Sequence, residues 1–286
     1  MLHIERHGDV TRLLLTHWRS RAVGYQVSAY FTRGTLVDTG FPAASAALAR
    51  WLDETRPAGV VVTHHHEDHA GNLALVASRA LPVAAPAATL AWALAPERIG
   101  FYRRFTWGAP ARVTAAPPPY EPEGLALLGT PGHAPDHHVV WDAERETLFS
   151  GDLFVGVKVR VARRDEDPRE HARQLRRVAA LRPSRMFDAH RGLVGDPVSA
   201  LLAKAEWLEE TIARIDRRAD EGVDARTIAR EVLGREDSAW WFSAGDYGRR
   251  SLVDAVLATR GAPRAAPGPA AVSGSAARSP SPRRGS

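Results

Sequence analysis

The sequence predicts an α/β fold that ends in a helical appendage. Three observations carry this. Short apolar strands alternate with helical segments through the first half; "GVVVT" (Gly59–Thr63) is an apolar run of the kind a sheet covered on both faces needs; and residues 197 to about 260 read as helices alone.

The opening 40 residues read as strands, because "TRLLLTHW" and "YQVSAYFTRGTLVDTG" are rich in β-branched and aromatic residues and are broken at Gly24, Gly34 and Gly40. Ala43–Arg56 has helical spacing through Ala47, Leu48, Trp51 and Leu52, and Pro57 stops it. After the strand at Gly59–Thr63 comes "HHHEDHAGN", then "AGNLALVASRA" as a helix and "LPVAAP" as a short strand. Beyond the prolines at 117–119, "GLALLGTPGH" reads as a strand and "HHVVWDAERETLFSGD" as two strands joined by a turn at Asp142–Glu144. Asp167 is placed as the N-cap of a helix with Pro168 at its first position. "SRMFDAHRG" is one more strand, ending at a histidine. The expected organisation is a catalytic domain over 1–196, a helical module over 197–261, and a disordered tail over 262–286 rich in Ala, Pro, Gly and Ser.

Composition narrows the function classes. At 286 residues, 44% hydrophobic and 25% charged, the chain is an ordinary globular protein with room for one large domain and an appendage. Cysteine is absent, which excludes disulfides, thiolate metal ligands and a cysteine nucleophile. The first residues lack a signal-peptide pattern, and the most apolar stretch, Ala80–Pro96, is cut by Pro82, Pro86 and Pro96, so a cytoplasmic protein with no membrane span is expected. The formal charge of +5 is largely a tail effect: Arg264, Arg278, Arg283 and Arg284 fall in the last 25 residues, which hold no acid. The body is nearly neutral, so nucleic acid is an expected partner only through that tail, and a small molecule is the expected substrate.

The chemistry lies in the histidines. In the pattern His-x-His-x-Asp-His, His64 and His66 alternate on an extended segment and can approach one cation together, while Asp68 and His69 at the following turn can serve a second. Gly71 permits the tight turn into the next helix. His133, Asp152 and His190 each follow a predicted strand, and a carboxylate such as Asp152 can bridge two cations. Nitrogen and carboxylate ligands without sulfur suit zinc, and also manganese or iron. His65 and Glu67, at the intervening positions, should point away from the metals. His137 and His138 should support the site or pack in a strand.

"THHHEDHAGN", "TPGH", "SGD" and "AHRG", in that order, resemble the signature motifs of the metallo-β-lactamase-fold hydrolases, and "LVDTG" resembles that family's first motif, with Asp38 at its aspartate. The resemblance spans roughly residues 10 to 195. It implies a four-layer αβ/βα sandwich with two zinc ions at one edge: His64, His66 and His133 on the first, Asp68, His69 and His190 on the second, and Asp152 on both. It also implies a hydroxide shared by the metals that attacks the substrate, with Asp68 orienting it or accepting its proton, and Asp38 hydrogen-bonding a ligand loop. Lys158, just past Asp152, is a candidate for holding an anionic substrate group.

The departures from the family pattern are informative. The absence of cysteine excludes the antibiotic-cleaving branch that uses one, and Asp152 points toward the glyoxalase II, lactonase and RNA-processing branches. "GDLFVGVKVR" differs from the glutathione-binding stretch of glyoxalase II, against a glutathione thioesterase. The leading expectation is therefore hydrolysis of a small ester, thioester or lactone. A phosphodiesterase or ribonuclease on the same metal site is the alternative, and a regulatory binding module, which would not need a complete ligand set, comes third.

Overall fold

A computed structural model describes residues 1–261; the expected tail at 262–286 lies outside the described residues. The first sheet holds β1 (Leu2–His7), β2 (Val10–Leu15), β3 (Val27–Thr32), β4 (Thr35–Val37), β5 (Gly59–Val61) and β6 (Val83–Ala84) in that order. Its helices are α1 (Trp18–Ala22), α2 (Ser45–Thr55), α3 (Leu73–Ala77), α4 (Ala87–Leu94) and α5 (Phe101–Trp107). The second sheet is built from β7 (Ala126–Gly129), β8 (His138–Asp142), β9 (Thr147–Phe149), β11 (Arg185–Asp188) and β12 (Gly192–Val194), in the order β12-β11-β9-β8-β7. The remaining elements are the short strand β10 (Ala162–Arg163), the helix α6 (Pro168–Ala179), α7 (Pro197–Asp220), α8 (Ala225–Val232), α9 (Ser238–Phe242), β13 (Tyr247–Gly248) and α10 (Arg249–Ala258). None of the helices among the described residues is long and apolar enough to cross a membrane.

Strand periodicity sorts the side chains into layers. In β2, Leu13 and Leu15 face the helices while Val10 faces the other sheet; Leu36 and Val37 in β4, and Val60 and Val61 in β5, divide in the same way. In the second sheet Val139, Leu148 and Met186 face outward against Leu175 and Val178 of α6, whereas Val140, Phe149 and Phe187 face inward. Both sheets are thus apolar on both faces, and the four layers run helix, sheet, sheet, helix. Between the sheets the rings of Tyr30, Phe149 and Phe187 pack with centroids 5.2 to 5.6 Å apart.

Several local expectations need correction. A short helix, α1, interrupts the strands of the first 40 residues: the ring of His17 accepts from the Arg19 amide while Ser20 caps back, a box built from a histidine that strand propensity does not reveal. The helix after the histidine run is only α3, since Gly71 and Asn72 belong to the turn. Past residue 197 the chain is not purely helical, because β13 pairs with β10. Asp167 does cap α6, accepting from the Arg169 and Glu170 amides.

The boundary expected at 197 falls at the start of α7, and this helix is shared. Leu201 and Ala205 pack in the outer layer of the second sheet, while Leu208, Ile212 and Ile215 join Ile228 of α8 and Val253 and Val256 of α10 in a separate core. Its first half is therefore part of the sandwich. Leu201→Ala should cost about 2–5 kcal/mol, the range for a buried leucine truncated in a core, read from denaturant unfolding of the whole chain. A cost within about 0.5 kcal/mol of zero, as at a surface position, would show that α7 does not brace the second sheet.

Candidate metal centre

The ends of β4, β5, β7, β9 and β11 meet at one edge of the sandwich, and the loops that leave them carry the candidate ligands. β4 and β5 are parallel, as are β9 and β11, so these strands deliver their C-terminal ends to the same side. Hydrogen bonds tie the two sheets together there: the His138 amide donates to Thr63 O at 2.9 Å, and the Ser28 amide to Ala189 O at 2.6 Å.

The structure brings the predicted residues into two groups that could each hold a cation. One is His64, His66, His133 and Asp152; the other is Asp68, His69, Asp152 and His190. In the first, Nε2 of His64 and Nε2 of His133 lie 2.9 and 3.0 Å from Nδ1 of His66. In the second, Nε2 of His69 and of His190 stand 3.2 and 3.1 Å from Oδ1 of Asp152, while Oδ2 of Asp152 is 3.3 Å from Nε2 of His133. Each oxygen of one carboxylate faces a different group. Asp152 could therefore serve both.

The outer nitrogens fix the tautomers. Nδ1 of His69 donates to Asp38 Oδ2 at 2.8 Å and Nδ1 of His190 to Gln26 O at 2.8 Å. Thr63 Oγ1 donates to Asp38, so it accepts from Nδ1 of His64 at 3.0 Å. Nδ1 of His133 faces Glu166 Oε2 at 3.6 Å. With their outer nitrogens turned to these partners, the inner Nε2 atoms of His64, His69, His133 and His190 face a common centre, as those of metal ligands do. Nε2 of His69, Oδ1 of Asp68 and Oδ1 of Asp152 are buried without a hydrogen-bond partner. Buried polar atoms left in this way are costly unless another group completes them, and nitrogen and carboxylate donors converging on one point fit a divalent cation.

The two groups differ in charge. Burial, reinforced by neighbouring imidazoles for His64 and by Arg163 for His66, holds both well below the ordinary histidine range. Burial also pulls on His69 and His190, but the carboxylates of Asp152 and its neighbours outweigh it, holding His69 well above the ordinary value and His190 at about 9. Burial raises Asp152 in turn, and the charges of His69 and His190 more than offset this and hold it well below the usual carboxylate range.

The residues between the ligands have structural partners. His65 turns away and bonds Asp136 through its backbone amide and Nδ1, and Thr89 of α4 donates to the same carboxylate at 2.6 Å. Glu67 is fully buried and is gripped by both arms of Arg103 on α5. Gly71 is required by close approach, since a Cβ there would lie 2.0 Å from Glu67 O. Asp38 sits at φ 63, a left-handed conformation that aspartate tolerates, and its carboxylate also accepts from the Thr63 amide. His137 supports the centre: its Nε2 accepts from the Asp152 amide at 3.0 Å and its Nδ1 faces Thr130 Oγ1 at 2.8 Å. His138 begins β8 and bonds a backbone carbonyl.

A cavity of about 570 Å³ opens beside the centre, with His133, Asp152 and His190 on its wall. Lys158 lines it but is exposed. Of the aromatic run Ala239–Tyr247, Tyr247 lines the same cavity and Phe242 packs on Phe105 of α5. Sequence reasoning did not single out Glu166, Asp136, Arg103 or Lys204. The first three are recognisable only through distant partners, whereas Lys204 leaves a trace, a lysine on the apolar stripe Leu201, Ala205 and Leu208 of α7.

The family comparison agrees with this geometry. A family model described as the metallo-beta-lactamase superfamily matches residues 23–190. A beta-lactamase-like protein 2 homolog of Caenorhabditis elegans is 27% identical over 193 residues, which cover 63% of this chain and 58% of the relative. Thioesterase pkgB of Emericella nidulans is 26% identical over 70% of this chain and 57% of its own length. The chain thus spans less than two thirds of both relatives. A metallo-beta-lactamase family protein from Thermus thermophilus shares the fold with a TM-score of 0.62 at 19% identity, covering 91% of this chain and 96% of the other. Matched over more than half its length, the chain belongs to the metallo-beta-lactamase superfamily.

Proposed function

We propose that the chain is a dinuclear zinc hydrolase of small ester-type substrates: thioesters, esters or lactones. The observation that carries this reading is the Asp152 carboxylate, one oxygen toward His133 and the other toward His69 and His190. On this reading His64, His66 and His133 hold one cation, Asp68, His69 and His190 the other, and Asp152 both. The absence of sulfur ligands favours zinc, with manganese or iron as substitutes. A pair of bound cations supplies a water of lowered pKa and polarises the substrate carbonyl.

The protein's own groups do the rest. Oδ1 of Asp68, buried and without a partner, is available to orient the attacking water and take up its proton. Asp38 accepts from Nδ1 of His69 and so turns Nε2 toward the centre, Glu166 stands 3.6 Å from Nδ1 of His133, and His137 fixes the Asp152 backbone. Tyr25, Trp207 and Leu252 give the cavity an apolar side, and its volume suits a small molecule. The thioesterase name of the Emericella nidulans relative supports a thioester. A phosphodiester is the second reading, because Lys158, Arg160, Arg191, Lys204 and Arg249 all line the same cavity.

Zinc-loaded full-length protein should cleave at least one member of a panel of thioesters, esters and lactones, and chelation should abolish the activity. Cleavage of an RNA oligonucleotide alone would favour the second reading; inactivity on all of these with two zinc ions bound would refute both. Asp38→Asn should weaken binding of the second zinc about 10- to 100-fold, as losses of groups that orient metal ligands do, measured by competition with a chromogenic chelator. An unchanged affinity would remove Asp38 from that role.

The two sites should also differ in pH response. His64 and His66 are held neutral near pH 7, whereas His190, at about 9, and His69 keep their protons in the metal-free protein. A cation entering the second group must displace those protons, so its affinity should climb as pH rises toward about 9, while the first group gains little. Zinc titrations by calorimetry at pH 6.5 and 8.5 would separate the two, and parallel pH dependence would contradict the assignment.

A further inference from the structure

Lys204 is a cation on an otherwise apolar stripe. On α7 the buried positions Leu201, Lys204, Ala205 and Leu208 recur at helical spacing, and Lys204 is only 4% exposed. Among the described residues its amine has no hydrogen bond or ion pair, and Nζ stands 5.8 Å from the centroid of the Phe154 ring. Yet the side chain lines the cavity that also bears His133, Asp152 and His190. Three carboxylates act on it from a distance, none in an ion pair with it: Asp152 faces the histidines, Glu166 accepts from the Arg163 amide at 2.9 Å beside His133, and Asp188 accepts backbone amides through Oδ1 while its Oδ2 has no hydrogen-bond partner. Burial draws the amine down to about 8, partly countered by Glu166 and Asp152, so it is still cationic at neutral pH.

A buried charge without a partner is destabilising unless something completes it. The open side of this amine is the substrate cavity. Lys158, Arg160 and Arg191, also on the cavity wall, are exposed and add positive charge, against the acids Asp152, Glu166 and Asp237 on the same wall. Arg249 is less available, being paired with Asp237 at 3.2 Å.

We infer that Lys204 is a specificity residue: it receives an anionic group of the substrate, a carboxylate or phosphate, while the scissile carbonyl lies at the Asp152–His190 end of the same cavity. This rests on the proposed ester-type hydrolysis and deepens it, making the substrate an acidic ester or thioester. Apolar parts of the substrate would lie against Trp207 and Leu252 between the two ends.

The test compares substrates that differ only in charge. Acetyl thioesters of 3-mercaptopropionate and 3-mercaptopropionamide place or omit the charge on the thiol side; succinyl and succinamoyl thioesters of a neutral thiol do so on the acyl side. The acetyl thioester of 2-mercaptoethyl phosphate asks whether phosphate serves as well. With zinc-loaded full-length protein, kcat/KM should favour the charged member of at least one pair about 10- to 100-fold, the worth of a charge-assisted hydrogen bond. Lys204→Met should collapse that ratio toward one, and Lys204→Arg should retain much of it. Equal rates for both members of both pairs in the unmodified protein would overturn the inference while leaving the hydrolase reading intact. A preference unaltered by Lys204→Met would move the role to another cation and equally overturn it. If no thioester is cleaved, the hydrolase reading rests on the esters and lactones of the wider panel; the inference is then decided by calorimetric binding of the thioether 3-(ethylthio)propionate, expected in the unmodified protein and lost in Lys204→Met. Should Lys204→Met not fold, Lys204→Gln takes its place.

Discussion

A single buried carboxylate facing two ways is the constraint on which the centre depends. Asp152 follows β9 in the second sheet, yet one of its oxygens meets His69, which follows β5 in the first. The two sheets must therefore stand at one fixed separation at this edge. The interlayer rings of Tyr30, Phe149 and Phe187 set that separation, and backbone bonds from His138 to Thr63 and from Ser28 to Ala189 lock it beside the ligands. Gly151, at φ +49, places the Asp152 amide on His137, and a Cβ there would stand 2.8 Å from Nε2 of that histidine. Packing and site geometry are one problem here.

The same carboxylate creates the electrostatic difference between the two groups. His64 and His66 sit among other imidazoles in a fully buried setting, so the proton is disfavoured on both. His69 and His190 share that burial but face Asp152 and Asp68, with Asp38 also acting on His69, and the anions win. Two histidine environments of opposite sense thus arise within one cluster, through the placement of three aspartates. The hydrogen bonds on the outer nitrogens then decide which lone pairs turn inward.

Much of the centre was legible in the sequence because its ligands follow strand ends and fall in short motifs. Alternation along the extended segment separates His64 and His66 from His65, and the turn at Gly71 brings Asp68 and His69 around. Less legible was what the intervening residues do. His65 and Glu67 are not bare spacers: Asp136 and Arg103 hold them, from 71 and 36 residues away, with no local pattern to announce either bond. The α1 helix was missed because His17 is an unusual cap. The two-residue β10–β13 pairing was missed because tertiary contact alone makes it a sheet. The helical stripe on α7 was readable, but its division between two cores depends on where the outer layer ends, which periodicity does not encode.

That division explains why one helix touches both stability and selectivity. The first half of α7 covers Val139, Leu148 and Met186 across the outer core, and the second half anchors α8 and α10. Lys204 lies near the handover, where the stripe passes from sheet to helical core and leaves an opening toward the cavity. An apolar side chain at this position would extend the stripe and avoid burying a charge. The lysine instead gives up that packing advantage and puts a positive charge on the wall of the cavity that also holds His133, His190 and Asp152. The strand ends thus supply the reactive groups, which leaves the choice of substrate to the helix that closes the outer layer.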